Sequence, residues 1–289
     1  MLLWAIIMKI VSVLEKFIQD LKKKGRSIST ILAYRKDVEQ LIASVKTEKI
    51  DKVTTADIEN FKKNLRREGY TAKSISRKIN AVKSFFRFAV NNNFIKNDPS
   101  STITHPKYEI KTPRVLSKIE YRALRDACRE DIRMAAIIEL LLQTGTRIGE
   151  LARLTLDNIN LDKNTVQVKE YQSQKARKIP LNNPAKKAIQ KYLKQRPKSK
   201  NKTLFLTKTG NPFLVRNIRS AINRYLKIAG IKNARVNDLR NTFIVQQLKA
   251  GVPLVTVSKI VGHKRISTTE KYLELTEEQG KERVKLEEL

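Results

Sequence analysis

The sequence predicts a mainly α-helical protein of two domains with a small antiparallel β-sheet. Three observations carry this expectation. Apolar residues recur at helical spacing through most of residues 9–103. A polar, proline-punctuated stretch at 97–113 then interrupts them, running from Asn97-Asp98-Pro99 to Thr112-Pro113. Beyond it, short strand-like runs separated by turn residues lie among further helical segments. A chain of 289 residues has room for two domains of about 100–200 residues each. The expected order is a possible extra segment at 1–8, a helical domain at 9–103, a linker region at 97–113, and a second domain at 114–289 with a tail at 273–289.

The first helix carries Val13, Leu14, Phe17, Ile18 and Leu21 on one face. Ile28, Ile31, Leu32 and Val38 predict a second. Thr54-Thr55-Ala56-Asp57 supplies an N-cap for a third, with Ile58, Phe61 and Leu65 inward and Gly69 as its stop. A fourth, 72–91, has Ile75, Ile79, Val82, Phe85 and Phe86 on one side. Arg77, Lys78, Lys83 and Arg87 fill the rest of that helix. As a group they are expected to contact phosphates. His105, in the linker, is expected to be exposed. Ser117 and Glu120 have capping-box spacing and open the second domain. Residues 134–142 are apolar almost all round and predict a buried helix. Strands are expected at 156–161, 165–169 and 177–181. Helices are expected again at 213–229, 239–249 and 253–261, the last with Gly262 just past its end. Arg216 and Arg219, on the first of these, join the expected DNA-binding set.

Charge narrows the function. The chain has 60 Lys+Arg against 28 Asp+Glu, a formal net charge of +32. That excess favours a polyanionic partner, with nucleic acid foremost. One cysteine, Cys128, excludes an intrachain disulfide and fits a reducing, cytoplasmic setting. One Cys and two His leave too few ligands for a structural zinc site. Residues 1–8 are apolar but far shorter than the roughly 20 residues a membrane span needs.

The chemistry gathers in the last half of the chain. Arg147 lies in Gln143-Thr144-Gly145-Thr146-Arg147-Ile148-Gly149-Glu150-Leu151, and Arg240 follows Asn237-Asp238-Leu239. Each guanidinium offers a planar fork that can grip two phosphate oxygens. His263 follows Gly262 and can donate to the same oxygens. Ser267 and Glu270 have capping-box spacing, which predicts a helix with Tyr272 in its second turn. A tyrosine hydroxyl can attack phosphorus when cations stabilise its phenolate.

These boxes, in this order, resemble the tyrosine recombinases of the Xer/phage-integrase family. Thr144–Leu151 resembles the family's Thr-Gly-x-Arg-x-x-Glu-Leu context. Asn237–Arg240 is similar to its His-x-Leu-Arg box, and Val261-Gly262-His263 to its Leu-Gly-His. Ser267–Thr269 and Tyr272 match its Ser-Thr-Thr stretch and nucleophile. The resemblance covers nearly the whole chain. It implies an N-terminal SAM-like helical core-binding domain and a catalytic domain after about residue 113. It implies that Tyr272 forms a covalent 3′-phosphotyrosine with DNA, without metal, ATP or any other cofactor. Arg147 and Arg240 would clamp the scissile phosphate, His263 would add a donor, and Glu150 would orient the clamp. The general acid would be a lysine in the β-hairpin turn. Lys175 is the first choice and Lys169 the reserve, although strict spacing from Ile179-Pro180-Leu181 falls on Gln172. Asn237 stands where the family usually has histidine, and Asn241 also replaces a common histidine. An asparagine cannot take a proton at neutral pH. The implied partner is double-stranded DNA with a short inverted-repeat target, held by a homotetramer on two duplexes, with no membrane. Dimer resolution and mobile-element integration share this chemistry. The alternatives are a weak or inactive DNA-binding relative and a type IB topoisomerase-like relaxation activity.

Overall fold

The computed structural model describes residues 9–109, 112–171 and 174–277. The segment 1–8, linker positions 110–111, Gln172 and the tail beyond 277 lie outside the described residues. The chain divides into two compact units, Met1–Ile110 and Lys111–Leu289.

The first unit is a helical bundle: α1 Ile10–Lys23, α2 Ile28–Ser44, α3 Thr55–Arg67 and α4 Ala72–Asn91. Side-chain caps start three of them. Ser27 accepts the Thr30 N–H at 3.1 Å, Thr71 accepts that of Ser74 at 3.2 Å, and Thr54 and Asp57 form a reciprocal capping box. Phe17, Phe85 and Phe86 are fully buried, with the Phe85 ring in contact with the other two. In α2, Ile31 and Val38 are buried, but Ile28 is 77% and Leu32 59% exposed. The expected apolar face there is narrower than the sequence suggests. His105 is exposed, and its Nδ1 lies 3.2 Å from Ser76 Oγ.

The cations of α4 do not act as one group. Lys78 is buried and donates to Asp37 Oδ1 at 3.0 Å and to Gln40 Oε1 at 2.7 Å. Arg77 also grips Asp37. This corrects the expectation for Lys78: a carboxylate buried on α2 needs a cation, and Lys78 supplies it from inside. Lys83 donates to the Ser101 carbonyl at 3.2 Å. Arg87 is exposed.

The second unit opens with α5, Lys118–Ala127, on the expected Ser117–Glu120 capping box. The next helix, α6 Ile132–Thr144, is capped by Asp131 and buries Met134, Ile137, Ile138 and Leu141. One-turn α7, Ile148–Leu151, follows. The strands β1 Ile159–Asn160, β2 Thr165–Val168 and β3 Arg177–Pro180 form an antiparallel sheet in that order. Val166 pairs with Ile179, and Val168 with Arg177. The first expected strand is mostly a 3₁₀ turn, Leu156–Asn158, because the Asn158 side chain reaches back to the Thr155 N–H at 2.9 Å. Then come α8 Asn183–Gln195, α9 Val215–Ile228, α10 Val236–Lys249, α11 Leu254–Val261, α12 Ser267–Glu270 and α13 Glu274–Glu277. The mainly helical class with a small antiparallel sheet is as expected. Helix α6 packs against α8 and α10 at the centre of this unit. A satellite cluster of Phe243, Val257, Val261 and Tyr272 ties α10 to α11 and the turn beyond α12. No helix among the described residues is long and apolar enough to cross a membrane.

Removing Asp37 would leave the Lys78 ammonium buried without its counter-charge. Asp37→Ala is expected to cost about 3–5 kcal/mol in urea unfolding. A loss below about 1 kcal/mol, the range of exposed pairs, would contradict the buried ion pair.

Candidate active site

The site is built where α6 ends. Gly145 closes that helix at φ +60°, and a Cβ there would sit 2.4 Å from the Phe243 ring. Glycine therefore lets the chain turn tightly against α10. Two residues later Arg147 enters α7. Its N–H donates to Glu150 Oε2 at 2.8 Å and its Nη1 to Glu150 Oε1 at 3.1 Å. The arginine and Glu150 thus cap α7 together.

Three guanidinium groups meet at the carboxyl end of α11. Arg147 donates to the carbonyls of Val261 at 3.3 Å and Gly262 at 3.1 Å. Arg240 donates to Val261 at 2.7 Å and also to the Gly145 carbonyl. Arg177, at the start of β3, donates through Nε to Ile260 at 2.6 Å. Its two Nη atoms grip Glu150 at 3.0 and 2.8 Å. The carbonyl end of a helix carries partial negative charge, and it holds cations that would otherwise repel one another. Gly262 makes this possible: its φ is +70°, and a Cβ would lie 3.0 Å from the Arg177 guanidinium.

Protonation follows from the crowding. Burial is the largest influence on the Glu150 carboxyl and raises its pKa. Its bonds to Arg177 and Arg147, with their charges, outweigh burial and hold it below the usual range. Burial, then repulsion from Arg147, brings Arg240 down to about 9, so it stays charged at neutral pH. Burial and the three guanidinium groups depress His263 to about 4. Its ring is neutral at pH 7, with Nδ1 2.7 Å from Thr269 Oγ1. When the threonine hydroxyl donates, the ring hydrogen sits on Nε2, ready to be given to an anion.

Arg147 and Arg240 line a cleft of about 750 Å³ together with Arg153, Arg219, Arg235 and Asn237. Glu150 is the one carboxylate among its lining residues. Arg153 stacks over the Tyr171 ring at 3.3 Å on the hairpin side. Five guanidinium groups in one cleft suit a phosphodiester backbone.

The expected site residues of this unit are not all brought together. Arg147, Glu150, Arg240 and His263 come together. Arg219 and Asn237 reach the same cleft, while Arg216 is exposed on α9. Lys175 and Lys169 are exposed between or beside the hairpin strands and do not line the cleft. Tyr272 is placed differently from the expectation. Helix α12 is a single turn whose N-cap is Ile266, without a side-chain cap. Tyr272 follows it in a turn, with its N–H donating to the Thr269 carbonyl at 3.0 Å. The ring is 8% exposed and stacks on His263 with centroids 6.4 Å apart. It is not among the cleft's lining residues. Burial raises its pKa, while Arg240 and Arg147 pull it down less strongly. Sequence reasoning missed Arg153, Arg177 and Arg235. Arg177 was legible: strand alternation puts it on the same face as buried Ile179. No cluster of His, Cys, Asp or Glu able to hold a metal occurs among the described residues.

The chain is similar to known proteins along most of its length. The phage integrase family matches residues 114–279, and the phage integrase N-terminal SAM-like domain matches residues 14–93. The chain is 33% identical over 277 residues to the tyrosine recombinase XerD of Staphylococcus saprophyticus, covering 91% of this chain and 93% of that protein. It is 30% identical over 280 residues to the tyrosine recombinase XerC of Roseiflexus castenholzii, covering 91% and 89%. The fold also matches a lambda integrase tetramer bound to a Holliday junction, with a TM-score of 0.75 at 18% identity, covering 90% and 79%.

The depressed His263 pKa gives stability a pH signature. The unfolded ring takes a proton near its usual 6.5, the folded ring only near 4. The unfolded state therefore gains the proton first, and stability falls as pH drops through that window. His263→Gln is expected to lose less melting temperature between pH 7 and 4.5 than the parent. Equal losses, or a His263 ring signal titrating near 6.5 by NMR, would contradict the half-buried neutral ring.

Proposed function

The chain belongs to the phage integrase family and is an Xer-like tyrosine recombinase, an enzyme of site-specific DNA strand exchange; from that premise we propose that Tyr272 is its nucleophile and that Arg147 and Arg240 hold the scissile phosphate. The observation that carries this reading is the shared cleft. Both guanidinium groups line it, and both are anchored on the Val261 carbonyl. Anchored donors need little reorganisation when charge builds on the non-bridging oxygens, so they favour the transition state over the ground state.

In the proposed reaction the Tyr272 oxygen bonds to phosphorus as the bond to the 5′ oxygen breaks. The phenolic proton leaves to solvent, and the 5′ oxygen takes a proton from Lys175, with Lys169 in reserve. The product is a 3′-phosphotyrosine. Attack by a 5′ hydroxyl from a partner strand reverses the sequence and restores the phenol. Glu150 keeps Arg147 oriented, and His263 Nε2 gives a further hydrogen bond. Asn237 can hydrogen-bond the phosphate but cannot act as a base.

Arg216, Arg219, Arg77, Lys83 and Arg87 are proposed as further DNA contacts. A lambda integrase with this fold is bound to a Holliday junction as a tetramer. We infer a homotetramer on two duplexes here, each with a short inverted repeat, acting in the cytoplasm.

A nicked suicide duplex carrying the target should trap a detergent-resistant adduct. Tyr272→Phe should abolish the adduct and leave binding intact. Arg240→Ala should slow its formation by about 10²–10³-fold, as expected for loss of one anion-stabilising donor. An adduct with the Phe variant would remove Tyr272 from this role. Relaxation of a plasmid that lacks the target would favour the topoisomerase reading.

A further inference from the structure

Asn241 lies one helical turn after Asn237 on α10 and is 4% exposed. Its Nδ2 donates to the Arg114 carbonyl at 3.0 Å and to Asp238 Oδ1 at 3.3 Å. Two acceptors on one side fix which way the amide faces. Its Oδ1 must then point the other way, and there it accepts the Tyr272 hydroxyl at 2.9 Å. Asn237 Nδ2 approaches the same oxygen at 3.4 Å. The anchor is backbone rather than a mobile side chain. The segment around Arg114 is also fastened to α10 through the Leu116 N–H, which donates to Thr242 Oγ1 at 2.9 Å.

This geometry has a chemical consequence. An amide oxygen accepts a hydrogen bond but does not take the proton. The phenol is therefore bound in its neutral form, with its hydrogen committed to Asn241. The ring is held at the same time against Phe243 and Val261. A histidine in that place could carry the proton away; an asparagine can only hold it.

We propose that Asn241 is a positioning residue that parks Tyr272, keeping the attacking hydroxyl protonated and out of the cleft until substrate is seated. The inference rests on Tyr272 being the nucleophile. Reaction then requires the Tyr272–Asn241 hydrogen bond to break, so the bond slows cleavage instead of helping it. A purely structural anchor would give the opposite sign, because loosening it would slow the reaction.

The test is single-turnover cleavage of a nicked suicide duplex at saturating enzyme, with binding measured in parallel. Asn241→Leu keeps the volume and removes the acceptor. It should accelerate adduct formation about three- to tenfold, the worth of one neutral hydrogen bond. Asn241→Ala removes the same acceptor without setting a second carboxylate beside Asp238, and it should accelerate cleavage as well. Both variants should also lower the Tyr272 titration midpoint, read from phenolate absorbance against Tyr272→Phe. If the Leu variant cleaves no faster than the parent while folded and binding, the latch is overturned. If the Leu variant does not fold, the Ala variant decides: unchanged or slower cleavage overturns the proposal. Absence of any adduct with the parent protein would instead overturn the assignment of Tyr272.

Discussion

Three arginine side chains meet at the carboxyl end of one short helix, and the rest of the site depends on that meeting. Like charges this close repel, and the protein offsets the repulsion in two ways. The carbonyls of Ile260, Val261 and Gly262 each accept from a guanidinium group. Glu150 is gripped by both Arg147 and Arg177. Remove either support and the cations would separate toward solvent. With both in place, α7, β3, α10 and α11 are fixed relative to one another around a single charged cluster.

That cluster divides the chemistry in space. On one side, Arg147 and Arg240 face a cleft with three further arginines. Tyr272 lies outside that lining, packed on His263 and bonded to Asn241. The same cations act on both groups. Burial and these cations together hold His263 neutral, while Arg240 and Arg147 partly offset the burial that makes the phenol a weaker acid. The proposed nucleophile Tyr272 sits in the turn after α12, a single helical turn without a side-chain cap. A longer, capped helix would have held the tyrosine more rigidly.

Much of this was legible in the sequence, and the failures have physical causes. Helical periodicity located the first unit because its core is made of repeating apolar positions. The capping boxes at Thr54 and Ser117 were found because capping is local chemistry. The box at Ser267 did not form: Ile266 is the N-cap, and α12 stops after one turn. Helix α8 went unread because it shows only Ala185, Ile189 and Tyr192 as buried residues among many cations. Arg147, Arg240, His263 and Tyr272 were singled out through box order. Arg177 was passed over although strand alternation puts it on the face of buried Ile179, and Asn241 was not assigned a role because its partner lies 31 positions away in the chain. Lys78 misled for the same reason. Its partner, Asp37, lies on another helix, 41 positions away.

Two anchored guanidinium groups, Arg147 and Arg240, are proposed to neutralise charge on one phosphate. Replacing a non-bridging oxygen of the scissile phosphate with a methyl group removes that charge directly. Arg147→Ala should then lose far less cleavage rate on the neutral methylphosphonate duplex than on the ordinary phosphodiester. An equal loss on both substrates would contradict the account.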